Sequence, residues 1–128
     1  MTRALVRRRR GVSAIEFAIV FPILMAALFG TAAFGQAFWL RNTLQMAVDD
    51  AGRYAMASST ATTGDIRSRV LARTGIVDPA DVDVTVTPDV DGGITFVTIR
   101  ARTAVSALAL VGLAPLTVQG QTRVPRPA

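Results

Sequence analysis

The 128-residue chain contains no cysteine, no histidine and no lysine. The first absence excludes disulfides and thiolate chemistry. Without histidine there is no Ser–His or Cys–His pair, and with neither residue there is no zinc site of ordinary composition. Without lysine there is no P-loop, and no Gly-x-Gly-x-x-Gly occurs. Asp89-Val90-Asp91 begins like a calcium loop, but its fifth position would be Gly93 and its twelfth Arg100, where oxygen ligands are needed. Those acids fit a hairpin turn better. The sequence thus offers no catalytic constellation, no metal site, no cofactor and no small-molecule substrate.

Charge is present but unevenly placed. The net charge is +5, and Arg3, Arg7, Arg8, Arg9 and Arg10 supply all of it, since nine arginines face nine acids from Val12 onward. A nucleic-acid binder would carry its basic patch on the folded part, so no nucleic-acid partner is expected.

Behind this basic leader comes Gly11, then Val12, then an apolar stretch interrupted by one charge, Glu16. From Phe17 to Leu40 no charged side chain occurs. As a helix this run would extend roughly 36 Å, against a hydrocarbon core of about 30 Å. It is therefore read as a membrane segment, with the leader arginines holding its N-terminal end in the cytoplasm and the remainder outside. Trp39 stands where an interfacial aromatic is expected. An ionised acid at mid-bilayer costs roughly 2.5–3.5 kcal/mol, so Glu16 needs a use, and a partner subunit is the expected one. Pro22 removes a backbone donor and predicts a kink. Ala27, Thr31 and Gly35, like Ala26 and Gly30, recur every four residues and would permit close helix approach.

Past the membrane, Leu40, Leu44, Val48, Ala51 and Ala55 make one apolar stripe, which predicts a helix continuing to about Ala57. Asp49 and Arg53 are expected to pair on its wetter side. Gly52, costly in a helix by about 1 kcal/mol relative to alanine, is read as a bend. Ser58–Gly64 reads as a linker, and a short helix fits Asp65–Thr74, with Arg67, Arg69 and Arg73 on a solvated face and Asp65 paired to Arg69. After Pro79 the period becomes two: Val82, Val84 and Val86 mark a strand, Pro88–Gly93 a turn, and Ile94–Thr103 a second strand. Ala104–Leu113 suggests a short helix, Leu116–Val124 a third strand, and Pro125–Ala128 a loose tail. The expected fold is α+β: a leader (1–11), a long helix (12–57, membrane part about 17–40), and a small domain (65–124) with about three antiparallel strands.

Gly11-Val12-Ser13-Ala14-Ile15-Glu16-Phe17, followed by the apolar run with Pro22, resembles the N-terminus of TadE-like minor pseudopilins. These belong to the tight-adherence (Tad, or Flp) pilus systems, a branch of the type IV pilus family. Ala51-Gly52-Arg53-Tyr54-Ala55 is similar to the alanine-rich segment that follows the membrane helix there. The resemblance is strong over residues 7–57 and loose over 65–124. It implies a pilin-like fold and a structural role in adhesion or secretion. It also implies a prepilin peptidase cutting between Gly11 and Val12, and partners among other pilin and pseudopilin subunits and the pilus assembly platform. Glu16, beside Phe17, would then accept the protonated Val12 amine of an adjacent subunit. Two other readings stay open on the residues alone. Ala33-Phe34-Gly35 could be a signal-peptidase site releasing Gln36 onward, or the apolar run could be an uncleaved single-pass anchor.

Overall fold

A computed structural model of the chain describes residues 3–75, 77–105 and 114–127, with side chains placed from Ser13 onward except in the gaps. Two compact units emerge, Met1–Phe34 and Gly35–Ala128. The first is helix throughout its described residues, part of the single helix α1 (Arg3–Ala57), which carries Pro22 without interruption. Gly11 and Val12 lie inside this helix, which begins ahead of the leader junction.

The second unit contains the outer part of α1, a helix α2 (Thr63–Arg73), and strands β1 (Asp83–Asp91), β2 (Ile94–Val105) and β3 (Leu116–Pro125). The strands form an antiparallel sheet in the order β1-β2-β3. The fold is therefore α+β, as its two hydrophobic periods predict.

The stripe of α1 forms the core. Leu44, Val48, Ala51 and Ala55 are fully buried, and Leu40 nearly so. They pack with Val84, Val97, Ile99, Ala101, Val118 and Val124 of the sheet and with Ile66 and Val70 of α2. Each fully buried aliphatic side chain contributes about 1.5–3 kcal/mol, so this seam is the main attachment of the helix to the sheet. Thr103, also buried, donates its hydroxyl to the Asp81 carbonyl at 2.9 Å, which offsets the cost of taking it out of water.

Several local expectations change. The linker ends earlier, because Thr62 is the N-cap of α2. Its hydroxyl accepts from the Asp65 N–H at 3.2 Å, while the Asp65 carboxylate accepts from the Thr62 N–H at 2.9 Å. Such a reciprocal cap is worth about 1 kcal/mol. β1 runs through Pro88 to Asp91, and the turn shrinks to Gly92 and Gly93, at φ +59° and +82°. Pro88 is tolerated because β1 is an edge strand, and positive φ at both central residues is what a two-residue hairpin turn requires. Ala104 and Val105 extend β2 and are not helical; the rest of the expected short helix, 106–113, lies outside the described residues. The C-terminal tail is tied down: the Arg126 N–H donates to the Thr95 carbonyl at 2.7 Å, and its guanidinium donates to the carbonyls of Ser59 at 2.9 Å and Ala61 at 2.6 Å.

Candidate assembly surface on the long helix

Glu16 is exposed on α1, flanked by exposed Ile15, Phe17, Ile19 and Val20. Phe17 stacks on Phe21 with ring centroids 5.3 Å apart, an i, i+4 contact along the helix. At about 3.6 residues per turn, Glu16, Ile23, Ala27 and Gly30 fall on one face. A side chain built on Gly30 would meet nothing within 4 Å, so this face is open to a neighbouring helix. The Thr31 hydroxyl donates to the Ala27 carbonyl at 2.8 Å, which satisfies it inside an apolar stretch. The helix is long and apolar enough to cross a membrane, and among the described residues it is the one that is. A carboxylate isolated in an apolar stretch of helix can recognise a cation.

Asp50 receives Arg69 at 3.3 Å and Arg73 at 3.4 Å, joining α2 to α1. Arg69 also lies 4.7 Å from the Tyr54 ring centroid, a cation–π contact. Desolvation pushes the Asp50 carboxyl up, but the hydrogen bonds and charges of the two arginines outweigh it and hold the group below its ordinary value. Asp65 is lowered mainly by the Thr62 hydroxyl, then by the Thr62 N–H. The expected local pairs are therefore replaced. Arg69 turns to Asp50 and not Asp65, and Asp49 accepts the Gln45 amide at 3.1 Å where Arg53 was expected. Shallow grooves of about 370 and 600 Å³ flank the Asp50 clamp. They contain arginines, aspartates and Tyr54 but no nucleophile paired to a base. No cluster able to hold a metal ion occurs among the described residues.

Two glycines set how closely α1 meets the sheet, and sequence reasoning missed that role. A Cβ on Gly120 would lie 2.7 Å from the Gln45 nitrogen and from the Leu44 carbonyl carbon. One on Gly52 would lie 3.1 Å from methyls of Thr122 and Val124. Gly52 thus marks close packing of α1 against β3. With the backbones this near, the Gln45 side-chain amide brackets an edge strand. Its nitrogen donates to the Gln121 carbonyl at 3.1 Å, and its oxygen accepts from the Gln121 N–H at 3.2 Å. The available signal was a glycine inside a strand pattern, which often means a backbone approaching closely.

No curated protein and no solved structure matches the chain. The family model of TadE-like proteins matches residues 11–53, covering Gly11, Val12, Glu16, Phe17 and Pro22 and most of α1. This is a structural family related to pilins and not a family of enzymes. Over residues 11–53, about a third of its length, the chain is similar to the TadE-like protein family.

Proposed function

We propose that the protein is a minor pilin, or pseudopilin, assembled into a Tad/Flp-type pilus that serves adhesion or secretion. The observation that carries this reading is the exposed Glu16 at the head of an apolar helix, inside the segment that matches the TadE-like family. In this account the protein is stored in a bacterial cytoplasmic membrane, basic end inside, with the C-terminal domain beyond about residue 40 outside. A prepilin peptidase cleaves between Gly11 and Val12. That junction is helical before cleavage, and Gly11 lowers the cost of opening it because glycine is about 0.8–1.0 kcal/mol poorer than alanine as a helix former.

Cleavage frees a protonated amine on Val12, which pairs with Glu16 of an adjacent subunit as the helices come together on the assembly platform. Leaving one member of such a pair unpaired in a low-dielectric bundle costs about 3–5 kcal/mol, which drives correct register. The open face with Ala27 and Gly30 lets the neighbouring helix approach, and Pro22 supplies a kink or loosened turn in between. The protein acts by assembling and catalyses nothing.

Glu16→Ala tests the mechanism. The variant should insert and be processed normally, remain in the membrane and fail to enter or promote the pilus. Wild-type assembly by Glu16→Ala would refute the pairing. The secretory alternative has one supporting observation: cutting after Gly35 would leave the Gly35–Ala128 unit nearly whole.

A further inference from the structure

We infer that the end of the sheet carrying Leu116 is seated in the lipid headgroup layer, beside the point where α1 leaves the bilayer. The inference rests on the reading of α1 as membrane-spanning and adds a second, non-helical contact with lipid. β3 runs along α1 in the same direction, since Gly120 meets Leu44 and Gln45 while Thr122 and Val124 meet Gly52. From Gly120 back to Leu116 is about 13 Å of strand at roughly 3.3 Å per residue. The same distance along the helix, at about 1.5 Å per residue, is about nine positions. Leu116 is therefore level with the stretch from Gln36 to Leu40, the last part of the uncharged run.

The side chains agree. Leu116 and Thr117 share a surface groove with Arg41 and Gln45. Ala37 and Leu40 are buried in the same cluster as Val105 and Val118, so the sheet covers one face of the helix at this level. Phe38, Trp39 and Leu116 are 64%, 48% and 39% exposed around it. The uncharged run is about 6 Å longer than a hydrocarbon core, which puts its last turn in the headgroup layer and Leu116 with it. By sequence, no charged residue occurs from Thr103 to Thr122. Arg41, the first charge after the run, is placed to meet lipid phosphates, and Trp39 sits where interfacial aromatics prefer to be. The Gly92–Gly93 hairpin tip, with Val90 69% exposed, is at the opposite end of the strands.

The absence of cysteine makes the test clean. Single variants Leu116→Cys, Thr117→Cys, Ile23→Cys and Val90→Cys of the full chain are spin-labelled in vesicles of phosphatidylethanolamine and phosphatidylglycerol. Collision with oxygen, which concentrates in lipid, is compared with collision with a water-soluble nickel chelate. Labels at 116 and 117 should meet the chelate severalfold less than the label at 90 and retain ready access to oxygen. Ile23 should be lipid-like throughout. If the 116 and 117 labels meet the chelate as freely as position 90 while position 23 stays in lipid, this inference fails and the membrane span stands. If position 23 is also water-accessible, the span itself is wrong, and the inference with it. Shielding of 116 and 117 from both reagents would mean that protein covers this end, which also overturns the proposal.

Discussion

Gly120→Ala should damage the protein more than its size suggests. Gly120 has no positive φ, so the substitution brings no dihedral strain. The cost is steric: the new methyl would stand 2.7 Å from the Gln45 nitrogen and the Leu44 carbonyl carbon, both backbone atoms that no rotamer change can move. Either α1 lifts off the sheet or β3 shifts. Overpacking of this kind costs about 1–3 kcal/mol. Separation also strains the paired Gln45–Gln121 hydrogen bonds, each worth about 0.5–1.5 kcal/mol. Alanine stiffens the unfolded chain, offsetting about 0.4–1 kcal/mol. A net loss of about 1–3 kcal/mol remains, and at roughly 4–8 °C per kcal/mol for a domain of this size it should be plain in a melt. Thermal denaturation of the full chain in detergent, followed by circular dichroism, measures it. Gly52→Ala is the companion variant. Its methyl meets only side-chain methyls at 3.1 Å, and the gain in helix propensity of about 1 kcal/mol should leave it within about 1 kcal/mol of wild type. A wild-type melting temperature for Gly120→Ala would refute the close-approach argument.

Val48 is fully buried in the seam, so Val48→Asp should lose about 3 kcal/mol or more through lost burial and an unpaired buried carboxylate, seen as rapid digestion in limited proteolysis. Asp83→Asn, exposed at the start of β1, should digest like wild type with or without a calcium chelator. Asp50 and Asp65 both titrate below their ordinary value of 3.8, so their support of α2 is full above that value and is lost as pH falls through the lowered folded values. Amide protection of α2 should accordingly drop at acid pH in wild type, and much less in an Asp50→Asn, Asp65→Asn double variant.

The features legible in the sequence are those encoded by local period. The apolar stripe from Leu40 to Ala55 and the alternation around Val84 name their buried faces directly, because burial repeats at the pitch of the element. What stayed hidden depends on residues far apart in the chain. Asp50 meets Arg69 and Arg73 only because α2 folds back on α1, so nearest-neighbour pairing chose the wrong partners. Arg126 is held by carbonyls near Ala61, a contact invisible from a proline-rich terminus. Gly52 reads as a helix defect until β3 is laid against it. Other misses were local: Thr62-x-x-Asp65 is a capping signature absorbed into a run of serines and threonines, and Pro88 looked like a turn because edge strands are not marked in sequence. For the assembly surface, Glu16 stands out as the sole charge in an apolar run, whereas the face it shares with Ala27 and Gly30 depends on helical geometry.

The N-terminal residue of the mature protein, isolated from membranes of cells carrying the complete system, tests the central claim most directly. Cleavage by a prepilin peptidase predicts Val12 as the first residue, with Gly11→Leu leaving the leader attached. A mature chain beginning at Gln36 would mean secretion by an ordinary signal peptide. One beginning at Met1 or Thr2 would mean a simple anchor, and either result would contradict the account.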